Sequence, residues 1–196
     1  MRIGILGGTF DPPHNGHMAL AEAARDSLQL DEVIWMPAYQ NPLKEKGKGT
    51  LAKHRMEMVK LLTAGHSDMA VSDSEISRRG PSYAVDTVSE MQYVRPAEYW
   101  FIVGADALKT LPKWKQPERL LKLCRLAVAV RPPLGVADTL MHLPPFCREL
   151  IDEIQMKPTE VSSSDIRDKV AKGQAINLWV PKGVIKYIEE HKLYRY

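Results

Sequence analysis

The sequence predicts an α/β fold in which a doubly wound, mostly parallel sheet carries helices on both of its faces. Two observations lead to this prediction. Apolar runs of strand length alternate along the chain with stretches whose apolar residues recur at helical spacing, and such alternation is typical of parallel sheets. The 196 residues, 44% of them hydrophobic and 26% charged, can also bury a substantial core. We therefore expect a Rossmann-like architecture that ends in a short C-terminal helical region.

Five short apolar runs, rich in residues that favour strands, are the predicted strands of the sheet. They are Arg2–Leu6, Glu32–Met36, Met69–Ser72, Tyr99–Val103 and Leu126–Val130. Ligands of open parallel sheets bind outside the carboxyl ends of the strands. The residues that follow these runs are therefore the first candidates for a functional site.

Six stretches between and after these runs show helical periodicity. They are Gly16–Leu28, Leu51–Ala64, Tyr83–Tyr93, Pro117–Leu123, Ser163–Lys172 and Pro181–His191. The second puts Leu51, Met58 and Leu62 on one side, and the last opens with Pro181 in its first turn. The segment Pro37–Thr50, which contains three lysines, is predicted to be a long loop. A ligand lid and a solvated linker are about equally consistent with it.

Composition and charge exclude several classes of protein. The net charge of +3 suits an anionic small ligand but is too small to indicate a nucleic-acid-binding face. The cysteines, Cys124 and Cys147, lack the spacing of a disulfide framework or a zinc ribbon, so reduced thiols in a cytoplasmic protein are expected. The chain enters a predicted strand at once, so no signal peptide is expected. It also lacks the run of about 18 apolar residues that a membrane span needs.

Glycines and polar residues follow four of the predicted strands. These sets are Gly7-Gly8-Thr9, Asn41-Pro42-Leu43-Lys44, Gly104-Ala105-Asp106 and Arg131-Pro132. Together they would place glycines, one carboxylate and two cations around a single crevice. Glycines let a backbone come close to a ligand, but the third glycine of a dinucleotide-binding fingerprint is missing. A tight strand-to-helix turn therefore stays open as the alternative for Gly7 and Gly8.

Two histidines flank the predicted start of the first helix. Asn15 is a good N-cap, so the helix should begin at Gly16, with His14 and His17 three residues apart and able to face one way. A helix N-terminus already favours anions, so two imidazoles there indicate a shared anion, typically a phosphate. No metal site is predicted, because the pair lacks a further ligand nearby. Partly exposed histidines with a capping role are the other alternative.

The stretch VSSSDIR repeats this pattern near the C-terminus. Ser162 and Asp165 have the spacing of a capping box and predict a helix start, with Arg167 close to that positive end. Serines and a guanidinium at a helix start form a second candidate phosphate-binding set. The alternative is a simple cap in which Arg167 pairs with an acid such as Asp168 or Glu160.

The candidates include no positioned carboxylate base, and this indicates the class of reaction. A hydroxyl or water nucleophile would need such a base, whereas a phosphate is mostly ionised near neutral pH, since its second pKa is about 6. Phosphoryl-type transfer then requires placement and charge neutralisation. The residues suited to this task are His14, His17, Lys44, Arg131 and Arg167. With no carboxylate cage for it in the chain, Mg²⁺ would arrive on the triphosphate. We therefore expect nucleotidyl transfer from a nucleoside triphosphate to a phosphate acceptor.

The same motifs resemble those of a known superfamily. GGTFDPPHNGH, residues 7–17, and VSSSDIR, residues 161–167, are similar to the two signatures of the nucleotidyltransferases. Within that superfamily the chain resembles the bacterial nicotinate-nucleotide adenylyltransferases through NPLK, GPSYAVDT, VGADALKTLPKW and VAVRP. The resemblance implies a single nucleotidyltransferase domain over residues 1–196, with a C-terminal helical portion at about 160–196.

The resemblance also implies an activity and its partners. Members of this family join ATP and nicotinate mononucleotide to give deamido-NAD and pyrophosphate. We therefore expect a cytoplasmic enzyme of NAD biosynthesis, with Mg²⁺ carried by ATP and no tightly bound cofactor. Neither nucleic acid nor a membrane is implied as a partner. The oligomeric state is open, a homo-oligomer included.

Residue roles are carried over at matching positions only. The catalytic residues would be His14, His17, Lys44 and Arg167. ATP would contact Gly7, Gly8, Thr9, Phe10, His17, Gly104, Asp106, Arg131, Ser163, Ser164 and Arg167. The acceptor would contact Lys44, Ser82, Tyr83, Ala84, Asp106 and Trp114. Trp114 could stack on the pyridine ring or serve as a core anchor. Ala84 stands where the family usually has threonine, which leaves the preference for the acid over the amide open.

Three other functions fit the residues less well. Pantetheine-phosphate adenylyltransferases share both signatures, but they usually have a single glycine before Thr-Phe-Asp-Pro, threonine at the position of His14 and a shorter chain. A non-catalytic nucleotide-sensing module should lose a histidine of the His-x-Gly-His set, and both are present. A nucleic-acid-binding domain would need clustered basic residues with interleaved aromatics, and the aromatic content is only 7%.

Overall fold

The central feature of the structure is a sheet of six parallel strands. The computed structural model describes residues 1–43, 49–130, 145–157 and 161–195. The strands are β1 (Arg2–Gly8), β2 (Glu32–Pro37), β3 (Met69–Val71), β4 (Glu98–Gly104), β5 (Arg125–Val130) and β6 (Ile151–Gln155), in the order β3-β2-β1-β4-β5-β6. Every pairing between these six strands is parallel, which confirms the predicted sheet and its five predicted strands.

Helices connect the strands. They are α1 (Asn15–Leu28), α2 (Ala52–Thr63), α3 (Ser74–Arg78), α4 (Ala84–Val94), α5 (Ala105–Leu108), α6 (Pro117–Leu123), α7 (Pro145–Arg148), α8 (Ser163–Ala171) and α9 (Lys182–Glu190), with a 3-10 turn at Leu111–Lys113. The six predicted helices are all present, and their ends differ from prediction by about one residue, which is the ordinary uncertainty of a helix boundary. None of the helices in the described ranges is long and apolar enough to cross a membrane.

Details at three helix starts differ from the prediction. Asn15 is not the N-cap of α1, because His14, with an extended φ of −150° and ψ of 169°, holds that position. The Asn15 amide instead donates to the Leu178 carbonyl at 3.3 Å. Pro181 and Leu51 likewise precede α9 and α2 as their N-caps. Leu51 is therefore 64% exposed and does not belong to the apolar face of α2.

The prediction omits β6 and the short helices such as α3 and α5. Only Ile154 is buried in β6, whose sequence is Ile-Asp-Glu-Ile-Gln. An edge strand is covered less completely than a central one, so it carries no continuous apolar run. An ion pair between Asp152 and Arg125, with 2.6 Å between Oδ2 and Nε, helps to hold this strand against β5. Helices of one turn are too short to show a periodic pattern.

Side chains alternate along the strands between two apolar cores, one on each face of the sheet. In β2, Val33 and Trp35 belong to one core, while Ile34 and Met36 belong to the other. The first core includes apolar residues of α1, α2, α8 and α9, and the second includes those of α4 and α6. Full burial of one large apolar side chain contributes about 1.5–3 kcal/mol. Both faces of the sheet therefore need a cover of helices, as the alternation of elements predicts.

The strand order reverses between β1 and β4, and this reversal positions the site. The chain moves outward from β1 to β2 and β3, then returns to β4 on the other side of β1. The carboxyl ends of the paired strands β1 and β4, at Gly8 and Gly104, consequently border one crevice. The fold thus brings the residues that follow these two strands to one edge of the sheet.

Candidate active site

Two glycines end β1 because side chains would not fit there. A Cβ atom on Gly7 would lie 2.8 Å from Cζ of Phe101, and one on Gly8 would lie 2.8 Å from Cζ of Phe10. Both distances are shorter than real Cβ contacts. The two glycines also line a cleft at this edge of the sheet. Close packing on one side thus leaves their backbone as part of the cleft wall.

Phe10 shapes the turn that follows β1. Its φ of +52° lies in the left-handed region, which is strained for a large side chain. The ring is 2% exposed and packs against Trp35, at 5.4 Å between centroids, and edge-on against His17, at 5.0 Å. This packing offsets the strain and anchors the turn. Only the backbone of Phe10 is therefore left for the nucleotide contact that the sequence predicts.

The two histidines stand together at the start of α1. The centroids of the His14 and His17 rings are 3.7 Å apart, and the rings are inclined by only 27°. Nδ1 of His17 accepts a hydrogen bond from the backbone N–H of His14 at 3.2 Å. A neutral His17 therefore carries its proton on Nε2. The two side chains face the same way, as their spacing predicts.

His14 is buried deeply enough to be neutral at neutral pH. The residue is 6% exposed, and burial lowers its pKa from 6.5 to about 4, because the imidazolium would lose its hydration. Its Nδ1 and the hydroxyl of Thr9 are both buried without a hydrogen-bond partner among the described residues. Buried polar atoms are normally paired, so these two atoms are candidates for contact with a ligand.

The start of α8 contacts the same turn. The Ser163 hydroxyl donates to the Pro12 carbonyl at 2.9 Å, and Nη1 of Arg167 donates to the Asp11 carbonyl at 2.7 Å. Nη2 of Arg167 also donates to the Ser164 hydroxyl at 3.1 Å. The structure thus brings the two motifs together, although they lie near opposite ends of the chain.

Gly16 allows α1 to approach the chain that leads into α8. A Cβ atom at this position would lie 2.9 Å from Cγ1 of Val161 and 3.1 Å from Nδ1 of His14. The backbone N–H of Asn15 donates to the Trp179 carbonyl at 2.8 Å, which ties the same helix start to the segment before α9. A larger residue at position 16 would separate the two motifs.

The cleft beside Gly7 and Gly8 has a volume of about 410 Å³, within the range of small-molecule sites. Residues 82–84 and Trp114 line it as well. The predicted acceptor residues Ser82, Tyr83, Ala84 and Trp114 therefore meet in one place. They lie next to the two glycines predicted to contact ATP.

Two lysines that the sequence analysis did not single out also line this cleft, Lys113 and Lys115. Nζ of Lys115 lies 4.6 Å from the centroid of the Tyr83 ring and 2.8 Å from Oδ2 of Asp86. Two cations in the lining favour an anionic ligand. The two lysines flank Trp114 in the segment LPKWK. Because Trp114 is predicted to contact the acceptor, this position could have indicated them from the sequence.

Trp114 is anchored at one edge and open to the cleft at another. Its Nε1 donates to the Thr110 hydroxyl at 3.1 Å, and its ring meets Phe101 edge-on, with 5.8 Å between centroids. The residue is half-buried and lines the cleft. The geometry therefore combines the two alternatives that the sequence leaves open, a packed anchor and a ring available to a ligand.

Gly104 and Asp106 lie at the end of β4, beside the end of β1, but neither lines the 410 Å³ cleft. A Cβ atom on Gly104 would meet nothing within 4 Å. The side chain of Asp106 is 88% exposed, and its Oδ1 lies 3.0 Å from Nζ of Lys109. The structure does not bring Asp106 to the acceptor residues, so its two proposed contacts stay predictions.

Two predicted cations, Lys44 and Arg131, lie outside the described residues, so their roles also stay predictions. Within the ranges that the structure describes, no group of three or more histidine, cysteine, aspartate or glutamate side chains could hold a metal ion.

Arg55, on α2, is a buried charged residue beside the site. The sequence analysis did not identify it. It is 3% exposed. Its Nε donates to the Thr50 carbonyl at 3.0 Å, Nη1 to the Thr9 carbonyl at 2.6 Å and Nη2 to the Tyr39 carbonyl at 3.1 Å. Burial lowers the pKa of Arg55, while the nearby Asp11 opposes this shift.

Glu75, on α3, is a second buried charge that the sequence analysis missed. It is 4% exposed and lines the cleft. It accepts hydrogen bonds from the hydroxyls of Thr87 and Ser82. Burial raises the pKa of Glu75, and the two hydroxyls partly counteract this shift. Arg78 donates to Thr87 at 2.9 Å and so extends the network to the surface.

Only one of these two residues carries a signal in the sequence. Arg55 falls in the buried stripe of α2 with Met58, Val59 and Leu62. A charge in an apolar stripe is unusual, because arginine is almost never fully buried without partners. Glu75 offers no such signal, since α3 spans only five residues and shows no periodic face.

Comparison with known proteins identifies relatives of this chain. A family model described as cytidylyltransferase-like matches residues 5–169. A probable nicotinate-nucleotide adenylyltransferase from Synechococcus sp. (strain JA-3-3Ab) is 42% identical over 195 residues, which cover 98% of this chain and 94% of that protein. A protein of the same description from Roseiflexus sp. (strain RS-1) is 40% identical and covers 98% of each chain.

Solved structures share the fold. The nicotinic acid mononucleotide adenylyltransferase of Plasmodium falciparum complexed with NaAD superposes with a TM-score of 0.80 at 20% identity, covering 98% of this chain and 97% of that one. The same Plasmodium protein complexed with APC gives a TM-score of 0.78, also at 20% identity, with 98% and 96% covered. At this level of identity the likeness establishes the architecture alone.

Proposed function

The chain belongs to the cytidylyltransferase-like family, and we propose that it transfers the adenylyl group of ATP to nicotinate mononucleotide, giving deamido-NAD and pyrophosphate. The observation that carries the proposal is the contact of the two helix starts, α1 and α8, with one turn beside a cleft of about 410 Å³. Relatives about 40% identical over nearly the whole chain, described as nicotinate-nucleotide adenylyltransferases, support the choice of acceptor.

The reaction exchanges one phosphoric anhydride for another. An oxygen of the acceptor phosphate attacks the α-phosphorus of ATP and forms a new P–O bond. The bond to the β-phosphate breaks, and pyrophosphate leaves with its electron pair. The attacking phosphate is mostly ionised near neutral pH, so no base has to remove a proton. Catalysis then consists of in-line placement and stabilisation of the charge on the phosphoryl oxygens.

We place the triphosphate of ATP at the start of α1. The Thr9 hydroxyl and Nε2–H of His17 are donors suited to phosphate oxygens, and the positive end of the helix dipole adds to the attraction. The absence of a described partner for Nδ1 of His14 and Oγ1 of Thr9 supports this placement. A bound anion would favour the imidazolium of His14 and would raise its pKa from the low value that burial imposes.

The start of α8 is proposed to border the same phosphates. Arg167 already donates to the Asp11 carbonyl, and its charge would neutralise part of the charge on the leaving pyrophosphate. The Ser164 hydroxyl would donate a further hydrogen bond, while Ser163 holds the Pro12 carbonyl beside it. Lys44 and Arg131 are proposed to add positive charge. Gly104, Asp106 and Arg131 are proposed for the adenosine side.

Mg²⁺ is proposed to arrive with ATP, bound to triphosphate oxygens, and to neutralise their charge. The protein's own contribution is then the orientation of the triphosphate by hydroxyls and cationic side chains.

Nicotinate mononucleotide is proposed to occupy the cleft, with its pyridine ring against Trp114. Helix α4 begins at Ala84, so the N–H of Ala84 is one of the first-turn groups without a helical acceptor and suits the nicotinate carboxylate. A backbone contact of this kind does not need the threonine hydroxyl usual in the family. Lys113 and Lys115 in the lining add to the preference for an anion.

The test is a pyrophosphate-release assay with ATP and Mg²⁺, in which nicotinate mononucleotide, nicotinamide mononucleotide and phosphopantetheine are offered in parallel. We expect turnover with nicotinate mononucleotide to exceed turnover with its amide, because Lys113 and the start of α4 favour the carboxylate. Preference for phosphopantetheine would show that the proposed acceptor is wrong, while adenylyl transfer from ATP would remain the reaction. ATP binding without turnover of any acceptor would favour a nucleotide-sensing module.

A further inference from the structure

We propose that Arg55 is a positioning residue for adenylyl transfer: it holds the phosphate-binding turn and the acceptor side of the cleft in one fixed relation. The proposal rests on the function proposed above, since it concerns the same cleft. It assigns a role to a side chain that neither signature of the chain contains.

The first support is the set of partners. Three nitrogens of one planar guanidinium donate to three backbone carbonyls, those of Thr9, Tyr39 and Thr50. Thr9 follows the glycines that line the cleft, while Tyr39 precedes the lining residues 41–43 and Thr50 precedes α2. A single rigid group thus joins three segments just beyond the point where β1 and β2 pair through Gly8 and Pro37.

The second support is the continuation of these contacts into the acceptor side. The backbone N–H of Tyr39 donates to the Ser82 hydroxyl at 3.0 Å, and the N–H of Ser82 donates to the Gln40 carbonyl at 2.8 Å. The Ser82 hydroxyl also bonds to Glu75. A shift of the Tyr39 carbonyl would therefore move Ser82, which lines the cleft.

The third support is burial. A charge that is 3% exposed is costly to desolvate, whereas its stripe neighbours Met58, Val59 and Leu62 are apolar. Asp11 supplies the nearby negative charge, and it is itself bonded to the hydroxyl of Tyr194 at 2.7 Å and the N–H of Thr50 at 3.1 Å. An apolar side chain could fill this volume but could not orient three carbonyls.

The consequence for catalysis is geometric. In-line transfer depends on the alignment of two bound substrates, and a displacement of about 1 Å can cost about 10²-fold in rate. Arginine presents several donors in a fixed planar fork, while lysine presents one ammonium at the end of a flexible stem. Lysine at position 55 would keep the charge but would not hold three carbonyls in the same arrangement.

The experiment compares Arg55→Lys and Arg55→Gln with Arg125→Lys as the matched control. Arg125 also bridges segments, through the Glu149 carbonyl and Asp152, but it lies at the amino end of β5, away from the cleft. Each variant is measured for its thermal unfolding midpoint, its kcat and its KM for both substrates. We expect Arg55→Lys to fold and to lose about 10²-fold in kcat, while Arg125→Lys loses stability with kcat unchanged.

A double-mutant cycle with Ser82→Ala tests the path through Tyr39. If Arg55 acts through the Tyr39–Ser82 hydrogen bond, the loss of kcat in the double variant is smaller than the product of the single losses. If the loss of kcat in the double variant equals the product of the two single losses, Arg55 and Ser82 act independently, and the proposed coupling is overturned.

The remaining outcomes separate this proposal from the proposed function. Failure of the unmodified protein to form deamido-NAD would refute the function itself. An active protein whose Arg55→Lys variant keeps its kcat, or loses it only in proportion to the unfolded fraction, overturns the positioning role. If neither Arg55 variant folds, Arg55 serves the fold alone and the proposal is likewise overturned.

Discussion

The two helix starts that meet at the turn of residues 11–12 satisfy their polar groups in different ways. At the start of α8 the Ser162 hydroxyl accepts from the N–H of Asp165 at 3.1 Å and donates to the Asp165 carboxylate at 2.6 Å. Helix α1 has no acidic residue in its first turn and begins with the stacked rings of His14 and His17. The first start pairs a hydroxyl with a carboxylate, whereas the second pairs the His14 N–H with Nδ1 of His17 and leaves Nδ1 of His14 without a described partner.

The two helix starts therefore serve the proposed site in different ways. The capped start of α8 supports the turn through Ser163 and Arg167. The first turn of α1 carries imidazoles in place of a carboxylate, which suits a site whose positive end is completed by an anion. Substitutions in α1 should therefore affect turnover first, and those in the cap of α8 should affect stability first.

The largest expected effect is that of His17→Ala. Removal of one donor to a developing phosphoryl charge should lower kcat by about 10²–10³-fold. The unfolding midpoint should fall only modestly, because His17 is half-buried and the variant loses one hydrogen bond and two ring contacts. Turnover and thermal unfolding are measured together, with His66→Ala as the control, since His66 is exposed and lies after α2. Unaltered turnover of His17→Ala would remove this side chain from the mechanism and weaken the contrast between the two helices.

The burial of His14 should make the free energy of unfolding depend on pH, and this effect should be intermediate in size. The pKa of His14 is 6.5 in the unfolded chain and about 4 in the native protein, so between these values the unfolded chain binds more protons. Stability should therefore be complete above pH 6.5 and should fall by about 3 kcal/mol as the pH decreases to 4. Urea unfolding of the protein and of His14→Gln across this range isolates the contribution.

The same urea unfolding measurement in the presence of ATP tests whether the bound phosphates contact His14. At saturating ATP the loss of stability attributed to His14 should shrink, because the bound phosphates stabilise the imidazolium. Curves for the two proteins that run parallel from pH 6.5 to 4 would show that His14 is not a buried neutral group. If ATP raised the unfolding free energy of both proteins equally across this pH range, the bound phosphates would not contact His14.

The smallest expected effect is that of Ser162→Ala. Loss of an N-cap side chain costs about 1 kcal/mol, measured as a shift of the urea midpoint. The contacts of Ser163 and Arg167 with the turn remain, so kcat should be unchanged. A large fall of kcat at normal stability would mean that the cap of α8 takes part in catalysis, and the contrast with α1 would disappear.

Local patterns predict a large part of the fold and part of the candidate site. The strand runs, the amphipathic stretches and the cap at Ser162 depend on residues a few positions apart, so they are readable from the sequence. The stacking of His14 and His17 follows from their spacing of three. The identity of the N-cap of α1 was wrong, because contacts with Leu178 and Trp179, far along the chain, decide where that helix begins.

Alternation of apolar and polar runs, together with the residues placed at strand ends, is enough to specify a parallel sheet with its site at one edge. The partners of Arg55 and Glu75, the contact of residues 161–167 with residues 11–12, and the low pKa of His14 arise only after folding. The reason is physical: secondary structure is governed by short-range periodicity, whereas burial and charge compensation depend on which distant segments the completed sheet brings together.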